Sequence, residues 1–199
     1  MTGSLDNMPK CLPFVLAQEC PYPAQWSNPK NFSDDAHDPG GKTMCGIIQR
    51  EYDTYRKANK LPTQDVRKIN EHEGLDIYRH SYWMPHCPSL PAGLDLCLFD
   101  SNVNEAPTEA IKILQVALGI HSDGDWGPQT DAAVKAITAD DVKHVIDLFT
   151  ARRKVVYRES RGYAYFKTDW MRRATEIGAE ALKMAEDAEE PTPAPRAVL

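Results

Sequence analysis

Apolar residues recur at the spacing of an α-helix over most of the second half of the chain. The clearest case is 107–118, where Ile111, Leu114 and Leu118 fall on one face. Pro107 suits the first helical position and Gly119 suits the residue after the last turn, so the pattern predicts both limits of this helix. Comparable patterns predict further helices at 94–103, 129–137, 140–157 and 170–188.

The first half of the chain is less regular. An apolar stretch at 11–17 predicts a short helix with Pro13 in its first turn. We expect this helix to end near Cys20, because Pro21 and Pro23 cannot continue it. Two more helices are predicted, one over 44–58 and one from an N-cap at Thr63 to about residue 84.

No segment of the chain alternates convincingly between apolar and polar residues, so the predicted fold class is mostly α. Residues 21–43 are rich in Pro, Asn and Asp and are predicted to form a long loop, with room for a small β-hairpin. The three prolines of the last nine residues favour a flexible tail at 189–199.

The composition is that of a globular protein, with 42% apolar and 26% charged residues among 199. No apolar run is long enough to cross a membrane, and the first ten residues lack the features of a signal peptide. We therefore expect synthesis in the cytoplasm. Five cysteines, an odd number without a CxxC pair, argue against a zinc ribbon. They are expected to be reduced thiols at synthesis, most of them small core residues, and pairing among Cys11, Cys20 and Cys45 is left open.

The net charge of −6 argues against nucleic acid as a general partner. The charge is uneven, because residues 150–173 carry a net +6 and the rest of the chain carries −12. Two interpretations of the basic segment remain open. It is either a patch that attracts a polyanion, or a solvated helix face whose arginine stems cover apolar surface.

A candidate acid lies at the end of the first predicted helix. Glu19 follows apolar residues, and both the negative end of a helix and apolar surroundings raise the pKa of a carboxyl group. Such a glutamate can serve as a general acid, with a second carboxylate supplied by the acidic segment 34–38. The alternative is a solvated helix end followed by an ordinary Asp-Pro-Gly-Gly turn at 38–41.

A second acidic loop, at 123–130, lacks the spacing of a calcium-binding EF-hand. It is better explained as a turn between two helices, with Trp126 as its anchor. The six histidines form neither a His-x3-His pair nor an HExxH motif, so the sequence predicts no metal site.

Several segments in a fixed order resemble glycoside hydrolase family 108. This resemblance spans about 10–188 and implies a lysozyme-like fold, with a catalytic lobe at 1–104 and a helical, predicted peptidoglycan-binding lobe at 105–188. The short connector at 104–107 favours two lobes of one body. The segments are Glu19, Asp38 to Ile47, Tyr82-Trp83, Leu90 to Asp95, Phe99 to Asn104, Leu114-Gln115, Asp123 to Thr130, and Trp170 to Arg173.

The resemblance implies an N-acetylmuramidase, which cleaves the β-1,4 bond between N-acetylmuramic acid and N-acetylglucosamine without a cofactor. Glu19 occupies the position of the family's catalytic glutamate, although the family's Glu-Gly-Gly-Tyr is Glu-Cys-Pro-Tyr here. Asp38 is the candidate second carboxylate, and Thr43 is expected to orient a water, by analogy with phage-type lysozymes. The candidate substrate-binding residues are Tyr22, Trp26, Asn104 and Trp126, and Trp83 is more readily explained as a core residue.

The expected partner is peptidoglycan, and the expected state is a monomer. Without an export signal, the protein would reach the periplasm or cell wall through a holin, as a phage endolysin does, or through a secretion system. The rival hypothesis is a lysozyme-like wall-binding or phage-tail module without turnover, since a fold does not fix a function. An amidase or peptidase lacks its metal ligands or thiol dyad.

Overall fold

The computed structural model describes residues 6–34 and 41–189. Within this part of the chain, eight α-helices surround a core that runs without interruption from the first helix to the last. A small antiparallel sheet lies beside the first helix in sequence. The helices are α1 Met8–Glu19, α2 Gln49–Ala58, α3 Glu71–Ile77, α4 Leu94–Asn104, α5 Pro107–Ala117, α6 Pro128–Lys135, α7 Ala139–Glu159 and α8 Tyr163–Glu189.

The first helix, α1, starts earlier than its apolar stretch indicates. It begins at Met8, so Pro13 lies inside the helix and not in its first turn. Its buried side includes Cys11 and Val15. The predicted end is confirmed, since Glu19 is the last helical residue and the Cys20 N–H donates to the Leu16 carbonyl at 2.7 Å.

A small antiparallel sheet is present, as the sequence allowed, but part of it lies in the segment 44–58 that was predicted to be helical. Strands β1 Phe32–Ser33, β2 Thr43–Met44 and β3 Ile47–Ile48 pair in that order, with Phe32 opposite Met44 and Thr43 opposite Ile48. The turn between β2 and β3 is Cys45-Gly46, and both residues have positive φ angles, 47° and 72°. This backbone favours a tight hairpin, so α2 begins only at Gln49.

The prediction of one helix from Thr63 to residue 84 was wrong in its start. Asp65 instead caps a single 3-10 turn at Val66–Lys68. The helix α3 starts after Asn70, which forms a capping box with Glu73 and so satisfies the first backbone amides. A π-helical segment, Tyr78–Trp83, continues α3 and ends the pattern close to the predicted residue.

The predicted helices of the second half are confirmed within a few residues, except that α8 begins at Tyr163 and not at residue 170. The central helix is α4, which is almost entirely buried and packs against α1, α5, α7 and α8. The predicted boundary between the two lobes, between residues 104 and 105, therefore lies within one continuous core. The predicted tail falls almost wholly outside the described residues.

None of the helices described combines the length and the apolar character that a membrane crossing requires.

Candidate active site

Glu19 ends α1 with its side chain enclosed on two sides. Its carboxylate forms an ion pair through Oε1 with Nη1 of Arg173, and its side chain is 15% exposed. The other oxygen, Oε2, faces the β2–β3 turn, where a Cβ atom added to Gly46 would lie 2.7 Å from it. The helix end was predicted, but the surroundings are those of a paired carboxylate and not purely apolar ones.

A disulfide joins the two segments that enclose Glu19. Cys20, the next residue along the chain, is bonded to Cys45, which precedes Gly46 in the turn. The thiols expected at synthesis are therefore joined in this pair. The sequence separation of 25 residues hid the bond, because neither local spacing nor an export signal indicates it.

The other three cysteines are free and buried, as expected for small core residues. Burial raises the pKa of the Cys97 thiol to about 12 and also raises the pKa of Cys11 and of Cys87. These thiols stay protonated near neutral pH and are poor nucleophiles.

A buried network of charges continues from Glu19 into the core. Arg173 donates to both oxygens of Asp100, at 2.9 and 2.8 Å, and Arg153 contacts the same carboxylate at 2.6 Å. Arg153 also donates to Glu105 at 2.8 Å. Burial alone would raise the pKa of Asp100, but Arg173 and Arg153 outweigh it and hold that pKa below the ordinary value.

This network corrects the interpretation of the basic segment at 150–173. Arg153 is 2% exposed and Arg173 is also buried, so two of its arginines serve Asp100 and not the surface. The sequence does contain a signal for this network. Asp100 lies in the apolar run of α4, and a carboxylate placed there needs a cationic partner.

The second carboxylate cannot be placed, because Asp38 lies outside the described residues. Thr43 lies on β2, half-buried, and its hydroxyl donates to the carbonyl of Gly41 at 2.9 Å. Asp34, at the near edge of the described part, is exposed.

The loop after α1 is held by one amide. The side chain of Asn31 accepts from the Tyr22 N–H at 2.9 Å and donates to the carbonyls of Tyr22 and Gln25. Tyr22 is 39% exposed, so its ring is accessible to a ligand. Trp26 is only 4% exposed, because it packs over Gly74 and meets Tyr78 edge-on, which favours a core role over sugar contact.

Asn104 contacts the charge network. With its amide nitrogen toward Glu105 Oε1, at 3.1 Å, its oxygen accepts from Nη1 of Arg173 at 3.2 Å. The same nitrogen of Arg173 contacts Glu19, so Asn104 and Glu19 share one partner. Trp83 is fully buried, as a core residue should be.

The other predicted contact residue, Trp126, stacks on the ring of His86 with the planes parallel and the centroids 4.1 Å apart. Its loop is fixed by Gln115, whose amide donates to Asp123 and to the Asp125 carbonyl. These contacts support the interpretation of Trp126 as an anchor. Across the described residues, no three His, Cys, Asp or Glu side chains converge as metal ligands do.

Comparison with known proteins adds a family and a structural relative. Residues 14–105 match the family described as glycosyl hydrolase 108, a span that includes Glu19, Asp38, Thr43 and Asn104. The fold is similar to the structure of SagA from Brucella abortus, with a TM-score of 0.75 and 26% sequence identity over 92% of this chain and 98% of that one. No curated protein sequence matches the chain.

Proposed function

We propose that the protein is a glycoside hydrolase in which Glu19 is the acid that protonates the leaving sugar, since residues 14–105 match the glycosyl hydrolase 108 family. The family implies an N-acetylmuramidase acting on peptidoglycan. The bond cleaved is then the β-1,4 bond that follows N-acetylmuramic acid. A glycosidase of this kind needs a carboxylic acid beside the glycosidic oxygen.

The observation that supports Glu19 is its placement. It is a partly accessible carboxylate at the end of a helix, positioned by Arg173 on one side and by the Cys45-Gly46 turn on the other. Because Arg173 occupies Oε1, we assign the transferred proton to Oε2. The guanidinium fixes the orientation of the carboxylate, and fixed orientation is a large part of general acid catalysis.

The second group of the reaction is assigned from the family pattern. We assign Asp38 to stabilising the positive charge that develops on the sugar or to positioning water. Thr43, on the strand that carries the Cys45-Gly46 turn, would orient that water. The distance between Glu19 and Asp38 decides whether configuration is retained or inverted.

Substrate contact is proposed for Tyr22 and Asn104, whereas the packing of Trp26 and Trp126 favours structural roles for these two residues. Tyr22 is exposed and lies three residues after Glu19 in the sequence. Asn104 contacts the guanidinium of Arg173, which is paired with Glu19.

Three exposed cations around the α7–α8 turn are available to anionic wall polymers, namely Arg158, Arg161 and Lys167.

The deciding experiment is muropeptide analysis of purified Gram-negative sacculi digested by the wild type and by Glu19→Gln. Glu71→Gln is the matched control, since Glu71 is an exposed glutamate in the first turn of α3. We expect reducing muramic-acid ends from the wild type and the control only. Equal digestion by Glu19→Gln would remove its assigned role. Sacculi that bind the protein without being cut by any form would favour the wall-binding module.

We further propose that the protein is a monomeric endolysin of phage origin, or the muramidase of a secretion system, that reaches the wall after synthesis in the cytoplasm. A holin or a secretion system would supply the route. Expression in a Gram-negative host with and without a holin tests this. Lysis that does not depend on the holin would contradict the endolysin alternative.

A further inference from the structure

We infer that the Cys20–Cys45 disulfide positions Glu19 for catalysis, so that the enzyme is active when this bond is oxidised and nearly inactive when it is reduced. The inference rests on the proposed role of Glu19. It adds a redox requirement that the family assignment does not contain.

The Cys20–Cys45 disulfide lies directly beside the Glu19 side chain. Cys20 follows Glu19 along the chain, and Cys45 precedes Gly46, where an added Cβ would lie 2.7 Å from Glu19 Oε2. Both cysteines are buried. One covalent link therefore ties the end of α1 to the turn that forms one wall around Glu19.

The turn has other attachments, which keep it folded without the bond. The hydroxyl of Tyr78 donates to the Cys45 carbonyl at 2.8 Å, and the Cys45 N–H donates to the Asn31 carbonyl at 3.2 Å. β2 and β3 remain paired on either side. We therefore expect reduction to displace the turn locally and to leave the helical core intact.

Reduction should separate the sulfur atoms of Cys20 and Cys45. Two thiol sulfurs are no longer bonded and separate to about 3.5–4 Å, the distance of non-bonded heavy atoms. Cys20 and Cys45 are both buried, so their side chains have little space in which to rotate apart, and we expect the helix end or the turn to move as well. Both movements shift Glu19 relative to Gly46, and a displacement of about 1 Å at a reacting group lowers a rate by about 100-fold.

The redox step is an ordinary thiol–disulfide exchange. A dithiol such as dithiothreitol gives two electrons and two protons to the Cys20–Cys45 bond, which yields two protein thiols and a cyclic disulfide of the reagent. Glutathione disulfide reverses the step, and two glutathione thiols are released for each protein disulfide formed. In a reducing compartment the newly made chain would have little activity, and it would gain activity on reaching an oxidising one.

The test measures hydrolysis of sacculi by one sample of the full chain, first oxidised, then reduced with dithiothreitol, then reoxidised with glutathione disulfide. We expect the maximal rate to fall at least about 10-fold on reduction and to return on reoxidation. The Cys20→Ser/Cys45→Ser variant should have the low rate throughout and should not respond to either reagent. Cys97→Ala, which removes a buried free thiol, should respond as the wild type does.

Two further readouts separate positioning from loss of fold. Near-ultraviolet circular dichroism should show that the reduced protein keeps its packed core at the assay temperature. Reduction should move the pH of half-maximal rate, because it displaces Glu19 relative to Arg173. A smaller folded fraction alone would lower the rate at every pH without moving that pH. Equal rates in the oxidised and reduced states would overturn the inference. So would a loss of rate that equals the loss of folded protein and leaves the pH of half-maximal rate unchanged. An oxidised protein that cuts no sacculi would overturn the proposed function as well.

Discussion

The guanidinium of Arg173, on the last helix, forms an ion pair with the carboxylate of Glu19, at the end of the first. The same guanidinium makes two hydrogen bonds to Asp100 on the central helix α4. One side chain thus connects the candidate catalytic acid to the most buried helix of the protein. The predicted peptidoglycan-binding lobe, which contains Arg173, therefore contributes a residue to the candidate active site.

Loss of Arg173 should destabilise the whole fold. In Arg173→Ala the fully buried carboxylate of Asp100 keeps only Arg153 as a cationic partner. We expect a loss of about 3–5 kcal/mol in the free energy of unfolding, measured by urea denaturation. Its neighbour Arg172 forms an exposed pair with Glu176, so Arg172→Ala should lose less than about 1 kcal/mol. Similar losses in both variants would contradict this view of the network.

Asp100 should make the protein sensitive to acid. Its pKa in the folded protein lies below the ordinary value of 3.8, so the unfolded state binds more protons in that range. The stability contributed by Asp100 is therefore complete above pH 3.8 and is lost as the pH falls through the lower, folded value.

The measurement is the free energy of unfolding between about pH 6 and about pH 3, for the wild type and for Asp100→Asn. The variant should be less stable at the upper limit, because its neutral amide no longer neutralises Arg153 and Arg173. It should lose less stability than the wild type on acidification. Parallel curves would show that Asp100 does not carry the acid sensitivity.

A methyl group at Gly46 should impair catalysis directly. Gly46→Ala would place a Cβ 2.7 Å from Glu19 Oε2 at a φ of +72°, so the turn or the carboxylate must shift. We expect the rate of sacculus hydrolysis to fall by about 10- to 100-fold.

Gly119 provides the matched control for this substitution. It has a φ of +69° and nothing within 4 Å of an added Cβ, so Gly119→Ala has a similar backbone strain without a close steric contact. This variant should lose stability and keep its rate. Comparable rate losses in the two variants would show that backbone strain, and not contact with Glu19, is responsible.

The sequence by itself determined most of the helices and the end of α1. The helix over Pro107–Ala117 is an example, because an amphipathic pattern between a proline and a glycine is a local signal. The Cys45-Gly46 turn shows the limit of such signals. Its apolar neighbours suit a helix as well as a strand, and pairing with β1 decided between them.

Only the tertiary structure decided what surrounds Glu19. Arg173 and Asp100 are 73 residues apart in sequence, and Cys20 and Cys45 are 25 apart. No periodicity links such positions, since a buried charge or thiol specifies the kind of partner it needs but not which residue will supply it. The chain itself supplied a glutamate at a helix end, and the packing of α8 and of the hairpin gave that glutamate a fixed orientation.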